Sequence, residues 1–577
     1  MRSAEAKRSW RLNAVGATVA VVSMLIAGFL LVRSKPRIRA ESLFVEDARI
    51  LAELEARGLS FQQVVGPDRL EQIVRTVERD MTEITKGQPP SSPRRPFKPE
   101  WLTRGRFELV GVVNRLDRRH FDPSACGEVR LVYRLALENP NRPATRLPMT
   151  VNVRIPQPKP DGATECKKIA QRWVGKDELL SLVGKLAPAE IEINYQSIHV
   201  PAYRKDMDDS AEYVLRAFEV EGRALHEEGL FNTPSPDVDK RTLLTWVSEH
   251  LREIDDGSAV LPKALLARRS VSVSPRGLTR PENRPYSAIV SARDLAELPL
   301  DELRLVRTPE LLLRRLDEST CAGCHQTRGV AGFHLLGAER NTATFNALAV
   351  GHSPHFDAEL RWRTADLASA ARGEHGEPRP FAAHPDGELG SVCGLVPALS
   401  SWSCREGLIC RDIHRADLGV CARPHAVEPS DPCEDVSLAP NARAEGPTVT
   451  ASAPDTSCPA PTPGTRSGPF CAPNWLGFTG GVCTERCTKV GERRGNAICA
   501  PLPAAGYEAE CFNSKQPVEA CLRNHLIPVF VASCDGGHPC RADYGCARIP
   551  GAPDGVGACV PPYFIFQARV DGPLLDR

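Results

Sequence analysis

The chain has 577 residues, enough for roughly three or four domains, and its 73 lysines and arginines are offset by 72 aspartates and glutamates. That balance excludes the charge asymmetry of a nucleic-acid-binding protein, and no nucleic-acid partner is expected. The 20 cysteines set another bound, because thiols in such number make sense as disulfides, which persist only in an oxidising compartment.

The first element in chain order is apolar. Ala14 to Val32 form an uncharged run of 19 residues, which as a helix spans about 28 Å, close to the ~30 Å hydrocarbon layer of a bilayer. Residues 1–40 are therefore expected to hold a single membrane-spanning helix. A cleaved export signal is the alternative, disfavoured because Arg33, Lys35, Arg37 and Arg39 follow without a small-x-small cleavage pattern. Basic residues also precede the run, so flanking charge does not orient it. The downstream thiols do, placing the bulk of the chain outside the cytoplasm.

Residues 41–99 read as a helical pair and a linker. One helix runs to Gly58; in the second, Leu70, Ile73, Val74, Val77, Met81 and Ile84 recur at intervals of three and four. The proline-rich run from Gln88 to Pro96 cannot continue it. Residues 100–260 read as a β-rich domain. Val129, Leu131, Tyr133, Leu135 and Leu137 alternate, as do Met149, Val151, Val153 and Ile155, then Ile191, Ile193 and Tyr195. Such alternation predicts a mainly antiparallel sheet with one face in solvent. Cys126 and Cys166 flank its central strands and are the candidates for one disulfide. From Asp239 the period turns helical, with Leu243, Leu244, Val247, Leu251 and Ile254 on one stripe before Asp256-Gly257 ends it.

Two stretches of this part, Gly111-Val-Val-Asn-Arg-Leu-Asp117 and Cys126-Gly-Glu-Val-Arg130, resemble segments of bacterial envelope proteins that carry them ahead of a haem-type motif. The resemblance covers about half of the chain and implies no reaction. The residues themselves form no Gly-rich phosphate loop, paired-His zinc motif or nucleophile–base constellation.

Residues 261–390 read as a small helical segment built around Cys321-Ala-Gly-Cys324-His325. Two thiols separated by two residues can form thioethers with the vinyl groups of one haem, and the adjacent histidine can then ligate the iron. This is the attachment signature of c-type cytochromes, and that resemblance implies one covalent haem c. Random placement of 20 cysteines and 14 histidines yields the pattern with a chance of roughly 2%. A local disulfide, a zinc site using His334 or His355, and a redox dithiol are the other readings of the same residues. Thr308-Pro309-Glu310 is a helix start that leads into the motif, and Asp357 to Ala371 is a second helix expected to form the opposite wall of a pocket. All five methionines precede Cys321. The distal position therefore falls to His355 first, with His334 or His352 as alternatives, or stays open, or takes a methionine from the amino-terminal half. Histidine in place of methionine favours a low-potential centre.

The remaining 16 cysteines lie between Cys393 and Cys559, and residues 391–577 read as small disulfide-stapled modules with little regular structure. A weak repeat runs through them. Cys404 to Cys410, closing at Cys421, parallels Cys540 to Cys546, closing at Cys559, with Cys471 to Cys483 as a degenerate middle copy. The aromatic run after Pro561 is expected to add a last strand. The fold class expected is thus multidomain α+β: an amino-terminal membrane helix, a mainly antiparallel β domain, a small helical cytochrome c-like segment and a loop-dominated disulfide-rich tail. The function expected is a membrane-anchored extracytoplasmic haem protein of the bacterial envelope, serving electron transfer or redox sensing with a redox partner protein. A haem-free cysteine-rich binding or structural protein, whose tail meets a surface ligand, is the alternative.

Overall fold

Alternating β-branched and aromatic residues build the centre of the molecule, as a pleated strand requires. The computed structural model describes residues 42–324 apart from 90–93, 123, 140–141, 159–162, 176–182, 184–186, 201–209 and 275–280; most of 354–395; and parts of 403–560. Nine antiparallel strands form one sheet. They are β1 (Phe44–Val45), β2 (Arg95–Pro96), β3 (Arg106–Arg115), β4 (Ala125–Asn139), β5 (Arg142–Pro158), β6 (Glu190–Val200), β7 (Ser210–Glu221), β8 (Ala224–Glu228) and β9 (Ser270–Ser274). The order is β1-β3-β4-β5-β6-β7-β8, with β2 on β6 and β9 on β7. Register puts Leu131 opposite Val153, and Val153 opposite Ile191, so the apolar rows of three strands share one face.

That face is covered by helices. In Pro67–Thr85, Ile73, Val77 and Met81 enter the core, and Asp80 from the same helix accepts hydrogen bonds from Tyr195 Oη at 2.9 Å and Arg216 Nε at 2.7 Å. Ala163–Val174 is tied to β4 by the Cys126–Cys166 disulfide and adds Trp173, whose indole donates to Gln157. The helix Pro354–Arg372 joins the same core through Leu367, Ala370 and Ala371. A second apolar cluster gathers Lys240–Glu249, Leu251–Asp256 and Pro309–Ser319. Their ends follow local chemistry: Asp239 and Thr308 cap the first and third by accepting from Thr242 N and Leu311 N, and Gly257 closes the second at φ 71°.

Three corrections follow for the expected fold class. The apolar run at 14–32 lies outside the described residues, and among those described no helix is long and apolar enough to cross a membrane, so a helical amino-terminal anchor is not shown. Among the described residues, the helix from Pro354 packs against the sheet core, through Leu367 and Ala370, and the Pro309 helix packs in a separate cluster. The described parts of the tail form small sheets, antiparallel but for the two-residue pairing of Ser403–Cys404 with Asp386–Gly387, rather than loops alone. Its repeat is a hairpin whose cysteines oppose one another in register: Cys410 with Cys421, Cys471 with Cys483, Cys546 with Cys559. Opposed cysteines bond outside their own pair, as in Cys393–Cys410, Cys404–Cys421, Cys458–Cys483 and Cys534–Cys546. The residues after Pro561, where a last strand is expected, lie outside those described.

Six disulfides form among the described residues. They place the protein in an oxidising, extracytoplasmic compartment.

Candidate functional site

The solvated face expected of the sheet is not solvated. Glu128, Arg130 and Arg134 on β4, Asn152 on β5, and Glu192, Asn194 and Gln196 on β6 alternate with the core residues, yet all are buried. Charges can be buried when paired and hydrogen-bonded, and here they pair across strands. Arg130 donates to Glu128 at 2.6 Å and to Glu192 at 2.7 Å, while Arg154 reaches Glu128 at 3.4 Å. Burial opposes ionisation of Glu128, but Arg130, Arg118 and Arg154 override it and hold the carboxyl at about 2.

The described residues between 229 and 322 cover part of this face and bring Cys321 to it. Thr320 ends the Pro309–Ser319 helix, and a short helical turn, Cys321–Cys324, follows. The Cys321 N–H donates to Thr233 Oγ1 at 3.0 Å, and its thiol donates to the Phe231 carbonyl oxygen at 3.7 Å. Leu215 and Ala217 of β7, with Leu230, surround the sulfur-bearing side chain, which is 3% exposed. The side chains of Cys324 and His355, and residues His325, His334 and His352 altogether, lie outside the described residues. His355 falls in the first turn of the Pro354–Arg372 helix.

Beside Cys321, the Phe231 ring carries the Arg118 guanidinium 4.0 Å from its centroid, and Phe121 flanks the same cation at 4.4 Å. Arg118 is 8% exposed and lies 3.9 Å from Glu128, but its Nη1 is buried without a hydrogen-bond partner. Burial drives this guanidinium down to about 10 despite Glu128, and Arg115, Arg130 and Arg154 add to the effect. Asn152 Oδ1 and Asn194 Nδ2 on the same sheet face are likewise buried without partners. Unpartnered polar atoms of this kind are uncommon in folded proteins and mark places where something polar is to be met.

A second charged knot holds the Pro354–Arg372 helix. Asp366 accepts from Arg119 Nη1 and Nη2 at 2.5 and 2.8 Å and contacts His120 Nε2 at 2.8 Å. Against the opposing effect of burial, His120 and Arg119 keep its carboxyl below the ordinary range. Arg379 donates to Asp117 at 2.8 Å and stacks on Trp362, and Asp117 also takes both arms of Arg115. Asp366→Ala should cost about 2 kcal/mol, the worth of charge-assisted bonds whose other partners keep some solvent. Urea unfolding checks this, and an unchanged midpoint would show that the helix does not depend on the knot.

Sequence reasoning singled out the stretches 111–117 and 126–130 but not the network that they form. Asn114, Arg115, Asp117, Glu128 and Arg130 all come from them. In the tail, the sulfurs of Cys393, Cys404 and Cys421 lie within 4.8 Å of one another, a spacing that thiolates could use for a metal. All three are committed to disulfides and offer none. Set against protein-family models, the curated proteins and the solved structures, the chain finds no match in any of the three.

Proposed function

We propose that this is an extracytoplasmic redox protein of the bacterial envelope that carries one haem c and serves electron transfer or redox sensing with a partner protein. Cys321 and Cys324 are the thioether residues, His325 the axial ligand on one side, and His355 the ligand on the other. The observation that carries the reading is the motif's setting. A capped helix delivers Cys321 into a wall of Leu215, Ala217 and Leu230, beside a buried cation with an unused N–H. An apolar wall suits a porphyrin, and an unused guanidinium N–H suits a propionate. The disulfides agree, since covalent haem attachment takes place in the same kind of compartment. When bound, haem would supply one-electron chemistry; the chain's part is to hold it, exclude water and set the charge around it.

The test is a peroxidase-type haem stain on denatured protein made in a host that attaches haem c. The wild type should stain, and Cys321→Ser combined with Cys324→Ser should abolish the stain. A colourless wild type ends the proposal. One observation favours the haem-free alternative, a disulfide-stapled binding protein: Cys321 packs as a core residue with its thiol on the Phe231 carbonyl. The same gel decides between them.

A further inference from the structure

Two disulfides of the tail meet in one place. Val392–Gly394, Leu418–Ala422 and Ile409–Asp412 form a three-stranded sheet with Leu418–Ala422 in the middle. Cys393 is paired with Gly419, and Cys410 with Cys421, so Cys393, Cys410 and Cys421 all rise from the same face. The Cys393–Cys410 bridge joins the two outer strands, and Cys421 on the middle one bonds instead to Cys404. The crossing brings the sulfurs of Cys393, Cys404 and Cys421 within 4.8 Å of one another, and no other three sulfurs among the described residues lie so close.

Four half-cystines so placed have a second way to pair. Residues directly opposed on antiparallel strands have Cα atoms about 4.5 to 5.5 Å apart, within the span of a disulfide, and that suits Cys410 to Cys421 with the backbone where it stands. Cys393 and Cys404 then remain, their sulfurs already close. Burial sets the point of entry. Cys393 and Cys421 are fully buried, whereas Cys404 and Cys410 are half-buried, so a thiolate from solution meets one of the latter first.

We infer that this module is a thiol-operated switch, in which the bridges Cys393–Cys410 and Cys404–Cys421 exchange for Cys393–Cys404 and Cys410–Cys421. Haem plays no part in it. A solution thiolate attacks Cys410 Sγ, forms a mixed disulfide with it and releases the Cys393 thiolate. Cys393 then attacks Cys404 Sγ and breaks the Cys404–Cys421 bond; the Cys421 thiolate so released attacks Cys410 Sγ and returns the solution thiol. Two disulfides break and two form with no net electron transfer, so the thiol is a catalyst. The consequence is mechanical. Before exchange the bridges cross-link the outer strands; afterwards Cys410–Cys421 closes its own hairpin, Cys393–Cys404 closes the loop before it, and no bridge ties Val392–Gly394 to the other two strands.

The purified full-length protein is held in a buffer of reduced and oxidised glutathione at about pH 8, near the ordinary thiol pKa, then quenched with acid, alkylated and mapped without reduction by mass spectrometry. Trp402, Arg405 and Arg411 separate the four cysteines, so chymotrypsin with trypsin gives each its own peptide. Relative to a thiol-free control, both swapped linkages should rise together to about a tenth or more of the molecules, the share left by a tenfold preference for the starting pair. Cys126–Cys166 and Cys487–Cys499 should stay as they are. A smaller share, or exchange that spreads to those two bridges, overturns the inference. Cys404→Ser tests the last step with no added thiol: the odd thiol should pass from Cys421 to Cys393 as Cys410–Cys421 forms, and maleimide should label it there. A label on Cys421 or Cys410 is equally fatal. Should that variant not fold, the wild-type map decides alone.

Discussion

Replacing Arg130 by alanine should cost about 3–5 kcal/mol of folding stability, the range for removing one member of a buried ion pair. Arg130 is 2% exposed and joins Glu128, 3% exposed, to Glu192, 6% exposed. Without it two carboxylates face each other across β4, β5 and β6 in a dry layer. The loss should depend on pH. Glu128 has a folded value of about 2 against 4.5 unfolded, so its contribution is fully present above about 4.5 and is lost as pH falls through about 2. In the alanine variant the chief partner of that shift is gone, and acid should cost it less. Urea midpoints at pH 7 and pH 3 test this directly. A loss under about 1 kcal/mol at pH 7 would show that water already reaches the layer.

That layer also shows where sequence reading stops. The strands around Val129, Val151 and Ile191, the Thr308 and Asp239 helix caps, and the Cys126–Cys166 bridge were all legible, because each rests on local period, local capping or a short list of thiols. The polar half of the alternation was legible as polar and not as buried. A strand with charges every second residue reads the same whether those charges meet water or each other. The difference lies in partners 62 residues apart, as for Arg130 and Glu192, or 262 apart, as for Arg379 and Asp117. No window of sequence contains both ends. The setting of Cys321 was hidden for the same reason, since Leu215, Leu230 and Thr233 reach it from far back in the chain. The Pro354–Arg372 helix was legible as a helix, but its destination was set by the sheet core and Asp366, neither of which a helical period reveals.

The protein should lose stability as pH rises from about 4 to about 7, and Asp317→Asn should remove much of that loss. Asp317 sits one helical turn before Cys321 and is 2% exposed. Burial raises its carboxyl from 3.8 to about 7, against the hydrogen bonds from Ser287 and Tyr286 that favour the ionised form. The sign follows from proton counting. Between the two values the folded chain holds a proton that the unfolded chain has released, so each step up in pH favours unfolding. A rise of that size corresponds to roughly 4 kcal/mol at 1.36 kcal/mol per pH unit, taken as an upper figure. Asparagine suits the site because its carbonyl can still accept the Tyr286 and Ser287 N–H groups, which lie 2.8 and 3.2 Å from Oδ1. Its amide can donate to the Ser287 hydroxyl, as the protonated acid would. The variant should match the wild type near pH 4 and exceed it at pH 8. Equal stability of the two proteins at pH 8 would mean that the three donors suffice to hold a charge there. It would also mean that the ground beneath the cysteine motif tolerates a buried anion without penalty.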